Sequence, residues 1–379
     1  MGHDKLRKFA ENETFSCLLQ PSAEELLADG YFHLRDHAVK GHWNDFFTSL
    51  QLGSSPLKTS GCAGPLPSDD GPLPLTMPPD KDKFPWKGAQ GVEGQASLLA
   101  RFSGGTAEAA AHEIVLELGC GKGEYTVALA ERDPERNYIG VDIKGARLWK
   151  GAKYATEHAL PNVAFLRTRV EFITAFFAPG EVSEIWLTFS DPQYRSENSR
   201  LSSPLFLERY RSFMKPGGIV HLKTDSRFLH EYTRAVCEAN GLRILACTTD
   251  LYGSSTANSA RGQLPPATVA ARGLVNGGTA SEAQRWDERS EVDRGQLSSE
   301  ANIQPVVKEV QTFYEQLFLE QGYPITYLSF VIDHEGPFVS PRDPEQFDSK
   351  AWRAAEGPRL LFGHDSAETR RQKLHAAED

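Results

Sequence analysis

Apolar residues gather into short runs that alternate with segments of helical spacing, and the alternation is most regular between Glu113 and Thr249. Ile114, Val115, Leu116 and Leu118 form a buried-strand run, and Tyr125 to Arg132 has helical composition. The same reading predicts strands over Asn137–Asp142, Val163–Arg167, Glu184–Thr188, Gly218–Lys223, Leu242–Thr249 and Thr326–Ile332. Helices are expected from near Lys144, near Val170 to Phe177, and over Pro204–Met214, Arg227–Asn240 and Val306–Gln321. Strands alternating with helices imply an α/β protein on a mostly parallel sheet, with ligands at the carboxyl edge of the strands.

The first strand runs into Gly119-Cys-Gly-Lys-Gly-Glu124. Glycines at Gly119, Gly121 and Gly123 let backbone approach a ligand, although a plain tight connection has the same composition. The dinucleotide fingerprint needs glycine where Glu124 stands, so a nicotinamide dehydrogenase is the weaker reading. Asp142 ends the next strand, about 20 residues past the loop, where a carboxylate can accept both ribose hydroxyls. It can also cap the helix that starts near Lys144, and the two roles can coexist. Two more acids leave strand ends. Asp191 lies in Leu187-Thr-Phe-Ser-Asp-Pro-Gln-Tyr-Arg195, where Pro192 restrains it toward an extended conformation. Asp225 precedes a helix that it or Ser226 can cap, and capping and catalysis are equally good readings there.

The segment 49–111 is rich in Pro, Gly and Ser without an apolar period and is expected to be an inserted, disordered flexible loop; 253–302 is rich in Ser, Ala, Gly, Arg and Glu and is expected to be a disordered or loosely helical insertion. They interrupt one catalytic domain, 112–252 and 303–333, preceded by an arm, 1–48. A tail, 334–379, has no core pattern beyond isolated aromatics and receives no function. Hydrophobic residues make up 40% of the chain, enough for a large core, and no run spans a membrane. The residues Met1 to Leu6 lack a hydrophobic signal region, so a cytoplasmic location is expected. Cys17, Cys62, Cys120, Cys237 and Cys247 lack zinc-ligand or disulfide spacing, and Cys120 has no activating base beside it in the sequence. A net charge of -10 argues against nonspecific nucleic-acid binding by the whole chain. Lys144, Arg147, Lys150 and Lys153 nevertheless form a basic stripe near one helix face, suited to phosphate or simply solvated.

The pieces L-E-L-G-C-G-K-G, I-G-V-D-I-K-G-A-R, I-W-L-T-F-S-D-P-Q, P-G-G-I-V-H-L-K-T-D-S and T-F-Y-E-Q, in this order, resemble bacterial tRNA (guanine-N7)-methyltransferases, which modify guanine-46. F-S-D-P-Q and Lys40-Gly-His-Trp43 are similar to the branch found in Bacteroidetes-type bacteria. The resemblance covers roughly Lys5 to Thr48, Glu113 to Tyr252 and Ile303 to Ile332. It implies a class I S-adenosylmethionine-dependent methyltransferase fold, Rossmann-like and mostly parallel with a last antiparallel strand. It further implies that Glu117 and Asp142 hold S-adenosylmethionine with the glycine loop, and that Asp191 is the catalytic acid at the methyl-donor mouth. Arg195, Asp225, Thr312, Phe313, Tyr314 and Glu315 correspond to the family's substrate-binding positions, Arg195 standing where the family usually has lysine. The implied partner is tRNA, with no metal and no membrane. Arg169 departs from the pattern, because relatives carry Asp or Asn there beside the adenine. Another class I methyltransferase, or an RNA-binding relative with weakened catalysis, are the rival readings.

Overall fold

A computed structural model describes residues 2–27, 34–52, 112–253, 303–320 and 322–356. They group into two compact units. One draws on Met1–Ile185, Ser212–Lys215 and Glu309–Gln316, the other on Trp186–Arg211, Pro216–Lys308 and Leu317–Asp379.

In the first unit the strands β1 (Leu18–Leu19), β2 (Glu113–Leu118), β3 (Arg136–Asp142) and β4 (Val163–Arg167) lie in the order β1-β4-β3-β2, every pair parallel. The apolar runs of β2, β3 and β4 are buried along nearly their whole length, as expected of parallel strands covered on both faces. The helix Glu124–Arg132 follows β2, and the helix Gly145–Glu157 follows β3. Leu148, Ala152 and Ala155 recur at helical spacing and face the core. Gly151 sets how close that helix comes: a Cβ there would stand 2.6 Å from the Phe165 ring and 2.8 Å from the Lys122 carbonyl.

The arm is part of this unit. Its helix Gly2–Asn12 docks on Gly145–Glu157, where Asn12 Nδ2 donates to the Gly145 carbonyl at 3.0 Å and Trp149 Nε1 donates to Glu11 at 2.6 Å. Trp43 is fully buried, stacks on Phe177 at 5.3 Å and donates its indole N–H to the Phe176 carbonyl at 2.9 Å. It opens the helix Trp43–Gln51, which carries the arm past residue 48 into the stretch expected to be an insertion. From residue 53 the first insertion, from 254 the second, and from 357 the tail lie outside the described residues.

β5 (Val182–Thr188) is followed in the second unit by β6 (Met214–Thr224), β7 (Ile244–Thr248) and β8 (Thr326–Val331). β8 runs antiparallel to both β6 and β7, with Leu222 opposite Leu328 and Ile244 opposite Phe330. Helix Arg227–Ala239 buries Phe228, Leu229, Tyr232 and Val236. Parallel strands with intervening helices, closed by a final antiparallel strand, make this the class I S-adenosylmethionine-dependent methyltransferase fold.

Four sequence expectations are corrected. Val170 to Phe177 is a 3-10 helix over Val170–Ala175, and the helix from Pro204 ends at Arg211 so that Met214 already belongs to β6. The helix expected over Val306–Gln321 is two, Pro305–Glu309 and Phe313–Glu320, because Thr312 and Glu315 start the second one afresh. The tail is not coreless up to residue 356. Phe338 and Phe347 are buried, Phe347 packs edge-on against Phe228 and Tyr232, and a last helix, Ser349–Glu356, brings Glu356 inside. Two aromatics among polar residues give no periodicity, so only contacts made across the chain reveal this core.

Candidate functional site

Within the first unit, β2 and β3 end side by side and their carboxyl ends carry the glycine turn and Asp142. Gly119 and Cys120 both donate backbone N–H groups to the Val141 carbonyl, at 2.8 and 3.0 Å, which pins the start of the turn to β3. Gly121 and Gly123 have φ of +60° and +73°, conformations that cost an ordinary residue about 1–2 kcal/mol. They differ in surroundings. A Cβ at Gly123 would lie 2.4 Å from the Phe165 ring, so the third glycine is a packing requirement, whereas a Cβ at Gly121 meets nothing within 4 Å. The second glycine therefore faces open space where a ligand can approach backbone.

Asp142 is 7% exposed and accepts the Gly121 N–H at 3.0 Å through one oxygen and the Lys144 N–H at 2.7 Å through the other. It braces the turn and the entry to the next helix together, although the N-cap position of that helix is Lys144 and not Asp142. Glu117 is also buried. Its Oε2 accepts the Thr126 N–H at 2.8 Å and the Thr126 hydroxyl, tying β2 to the helix after the turn. Burial and the neighbouring Glu117 and Asp142 carboxylates push the Cys120 thiol far above its ordinary range, which removes it as a nucleophile.

The T-F-Y-E run divides into two pairs. Thr312 Oγ1 accepts the Glu315 N–H and a Glu315 oxygen accepts the Thr312 N–H, each at 3.3 Å, a reciprocal capping box. Glu315 is fully buried. Phe313 and Tyr314 instead stay 41% and 52% exposed, edge to face at 5.8 Å, with the Lys122 ammonium 5.3 Å from the first ring and 5.8 Å from the second. The Phe313 N–H donates to Glu124 Oε2 at 3.0 Å, which joins this aromatic pair to the glycine turn. Of the basic stripe, Lys144 and Arg147 are exposed, whereas Lys153 lies over the Trp149 ring at 5.1 Å and 3.7 Å from Glu157. Arg169 is exposed and turned toward Glu171, at 3.3 Å, and the Phe172 ring.

The second unit holds Asp191, Arg195 and Asp225. Asp191 is exposed in the loop after β5, where Phe189 and Gln193 have φ of +49° and +47°, and its Oδ1 accepts the Gln193 N–H at 2.9 Å. Left-handed backbone at two bulky residues is strain that surrounding contacts must hold. They do so from several sides. Phe189 N–H donates to the Lys223 carbonyl at 2.9 Å, Arg200 Nε to the Pro192 carbonyl at 3.3 Å, and Tyr194 hydroxyl to Glu356 Oε2 at 2.8 Å. Arg195 is exposed on the same loop. At the end of β6 it is Ser226, not Asp225, that caps the following helix, accepting the Leu229 N–H at 3.1 Å. Asp225 is half-buried and close enough to Tyr194 to act on it electrostatically.

Glu356 was not a sequence candidate. Its carboxylate accepts the Tyr194 hydroxyl, the Ser226 hydroxyl at 2.9 Å and the Phe228 N–H at 3.1 Å, so the tail's last described helix fastens the Asp191 loop to the start of helix Arg227–Ala239. Burial and this carboxylate hold the Tyr194 phenol well above its usual range and keep it donating. Replacing Glu356 with Ala takes the acceptor from three donors, two of them buried and the Tyr194 hydroxyl half-buried, and is expected to lower stability by about 2–4 kcal/mol in denaturant unfolding, with Gln costing less. An unchanged midpoint in Glu356→Ala would show that the tail contributes packing alone.

A family model described as "Putative methyltransferase" matches residues 111–259. The chain is 42% identical over 230 residues to a tRNA (guanine-N(7)-)-methyltransferase of Bacteroides thetaiotaomicron, covering 61% of this chain and 73% of the relative. A protein of the same description from Christiangramia forsetii is 36% identical over 331 residues, covering 87% of this chain and 98% of the relative. Among solved structures, the 16S rRNA methyltransferase KamB is 16% identical over 58% of this chain and 88% of that one, with a TM-score of 0.33.

Proposed function

We infer, from the premise that the chain belongs to the tRNA (guanine-N7)-methyltransferase family, that it methylates guanine-46 of tRNA with S-adenosylmethionine as donor. The observation that carries the site assignment is the glycine turn, open at Gly121 and braced by Asp142. Gly119, Gly121 and Gly123 lie along the donor, and Glu117 and Asp142 fix the two ends of the turn, Asp142 with capacity left on its oxygens for the ribose hydroxyls. Phe313 and Tyr314 present the exposed aromatic faces expected of a base-contacting surface, whereas Thr312 and Glu315 serve it by setting the helix that carries them. Arg195 and Asp225 are assigned to the tRNA, Arg195 to phosphate.

Guanine N7 carries a free in-plane lone pair, so no base has to remove a proton before attack. The N7–methyl bond forms as the methyl–sulfur bond breaks, the electron pair returns to sulfur, and the positive charge passes to the purine. Alignment is the main requirement, and a carboxylate facing the ring adds electrostatic stabilisation as that charge appears. Asp191 is assigned that role. N7 of guanine-46 lies in the tertiary core of folded tRNA, so the nucleotide has to be displaced from its contacts.

Purified protein incubated with unmodified tRNA and S-adenosylmethionine is expected to yield N7-methylguanosine at position 46 alone, read by cleavage at the modified base. Methylation at another atom, or none with a folded protein, would overturn the assignment.

A further inference from the structure

Glu124 follows the glycine turn as the first residue of helix Glu124–Arg132, and its carboxylate is only half satisfied. Oε2 accepts the Phe313 N–H at 3.0 Å, but Oε1 is buried with no hydrogen bond, in a residue only 8% exposed. The Lys122 ammonium stands 4.0 Å from Oε1, close enough for charge attraction and too far for a hydrogen bond. A buried carboxylate oxygen without a donor is a costly arrangement, and such atoms are rare in folded proteins. Its place explains it. Glu124 is one residue beyond Gly123, beside the aromatic pair Phe313–Tyr314, and Lys150 lies within electrostatic reach of both Glu124 and Lys122. An acid and two cations thus stand together at one end of a turn that has room at Gly121.

We propose that Glu124 receives the ammonium group of the amino-acid end of S-adenosylmethionine on Oε1, with Lys122 facing the carboxylate of the same zwitterion. The proposal rests on the reading of Gly119–Gly123 as the donor loop. A zwitterion suits this spot because each of its charges meets an opposite one, and the ammonium supplies the hydrogen bond that Lys122 is too distant to give. Because the other Glu124 oxygen holds Phe313, the side chain also links donor binding to the position of the aromatic pair.

Calorimetry on the full-length protein with three probes tests this: S-adenosylhomocysteine, its analogue lacking the amino group, and 5′-methylthioadenosine, which lacks the amino-acid end. Wild type is expected to bind S-adenosylhomocysteine about tenfold or more tightly than the deaminated analogue, the scale of one charge-assisted hydrogen bond. In Glu124→Gln that preference should shrink to near unity, while 5′-methylthioadenosine binds as in wild type. Equal affinity of wild type for S-adenosylhomocysteine and its deaminated analogue would overturn the proposal without any variant. So would a Glu124→Gln protein that loses 5′-methylthioadenosine as strongly as S-adenosylhomocysteine, since that pattern marks a purely structural carboxylate. A folded wild type that binds none of the three probes would instead overturn the donor-loop reading itself.

Discussion

Asp191→Asn is expected to slow single-turnover methylation of tRNA by about 100-fold or more while leaving S-adenosylmethionine affinity nearly unchanged. The substitution isolates charge. Within its loop Asp191 accepts the Gln193 N–H on Oδ1, and an asparagine carbonyl accepts the same bond. The loop is held independently by Arg200 on the Pro192 carbonyl and by Tyr194 on Glu356, so its strained turns at Phe189 and Gln193 should persist. What disappears is the negative charge assigned to face the purine as it becomes cationic, and a charge so placed acts more strongly in the transition state than on the neutral base. A wild-type single-turnover rate in Asp191→Asn would reduce the residue to a loop-forming role.

Asp142→Ala should weaken S-adenosylmethionine by about 1.5–3 kcal/mol, roughly tenfold to a hundredfold in Kd by calorimetry. Two causes combine in that loss. The carboxylate holds the Gly121 and Lys144 N–H groups, so removing it loosens the turn, and it is also the assigned acceptor for the ribose hydroxyls. A donor analogue without those hydroxyls separates them. If the ribose contact dominates, the analogue binds wild type and variant alike; if the turn dominates, the analogue suffers from the substitution as the natural donor does. Unchanged affinity for S-adenosylmethionine in Asp142→Ala would remove the residue from the site.

The α/β alternation, the glycine turn and the acids at strand ends were legible because each depends on neighbours in sequence. A parallel strand buried on both faces is mostly apolar, a tight turn with positive φ favours glycine, and both leave marks within a few residues. The boundaries of Val163–Arg167 and the close of β3 at Asp142 came through unchanged for that reason. The division of labour inside T-F-Y-E was not read from the sequence, where one continuous helix was expected across it: the capping box of Thr312 and Glu315 restarts the helix, and which residues are left exposed depends on what covers them.

Other features had no local mark. Glu356 reaches Tyr194 and Phe228 across 162 and 128 positions of chain, and no periodicity announces an acid that caps a helix so far away. The same holds for Trp43, whose indole bonds a carbonyl 133 positions on, and for the orphaned oxygen of Glu124, defined by which donor fails to reach it. The sequence alone determined the alternation of strands and helices between Glu113 and Thr249 and which residues carry charge at strand ends, since backbone conformation and burial pattern are short-range properties. Only the tertiary structure decided which of those charges are already satisfied, because hydrogen-bond partners come from wherever packing brings a donor.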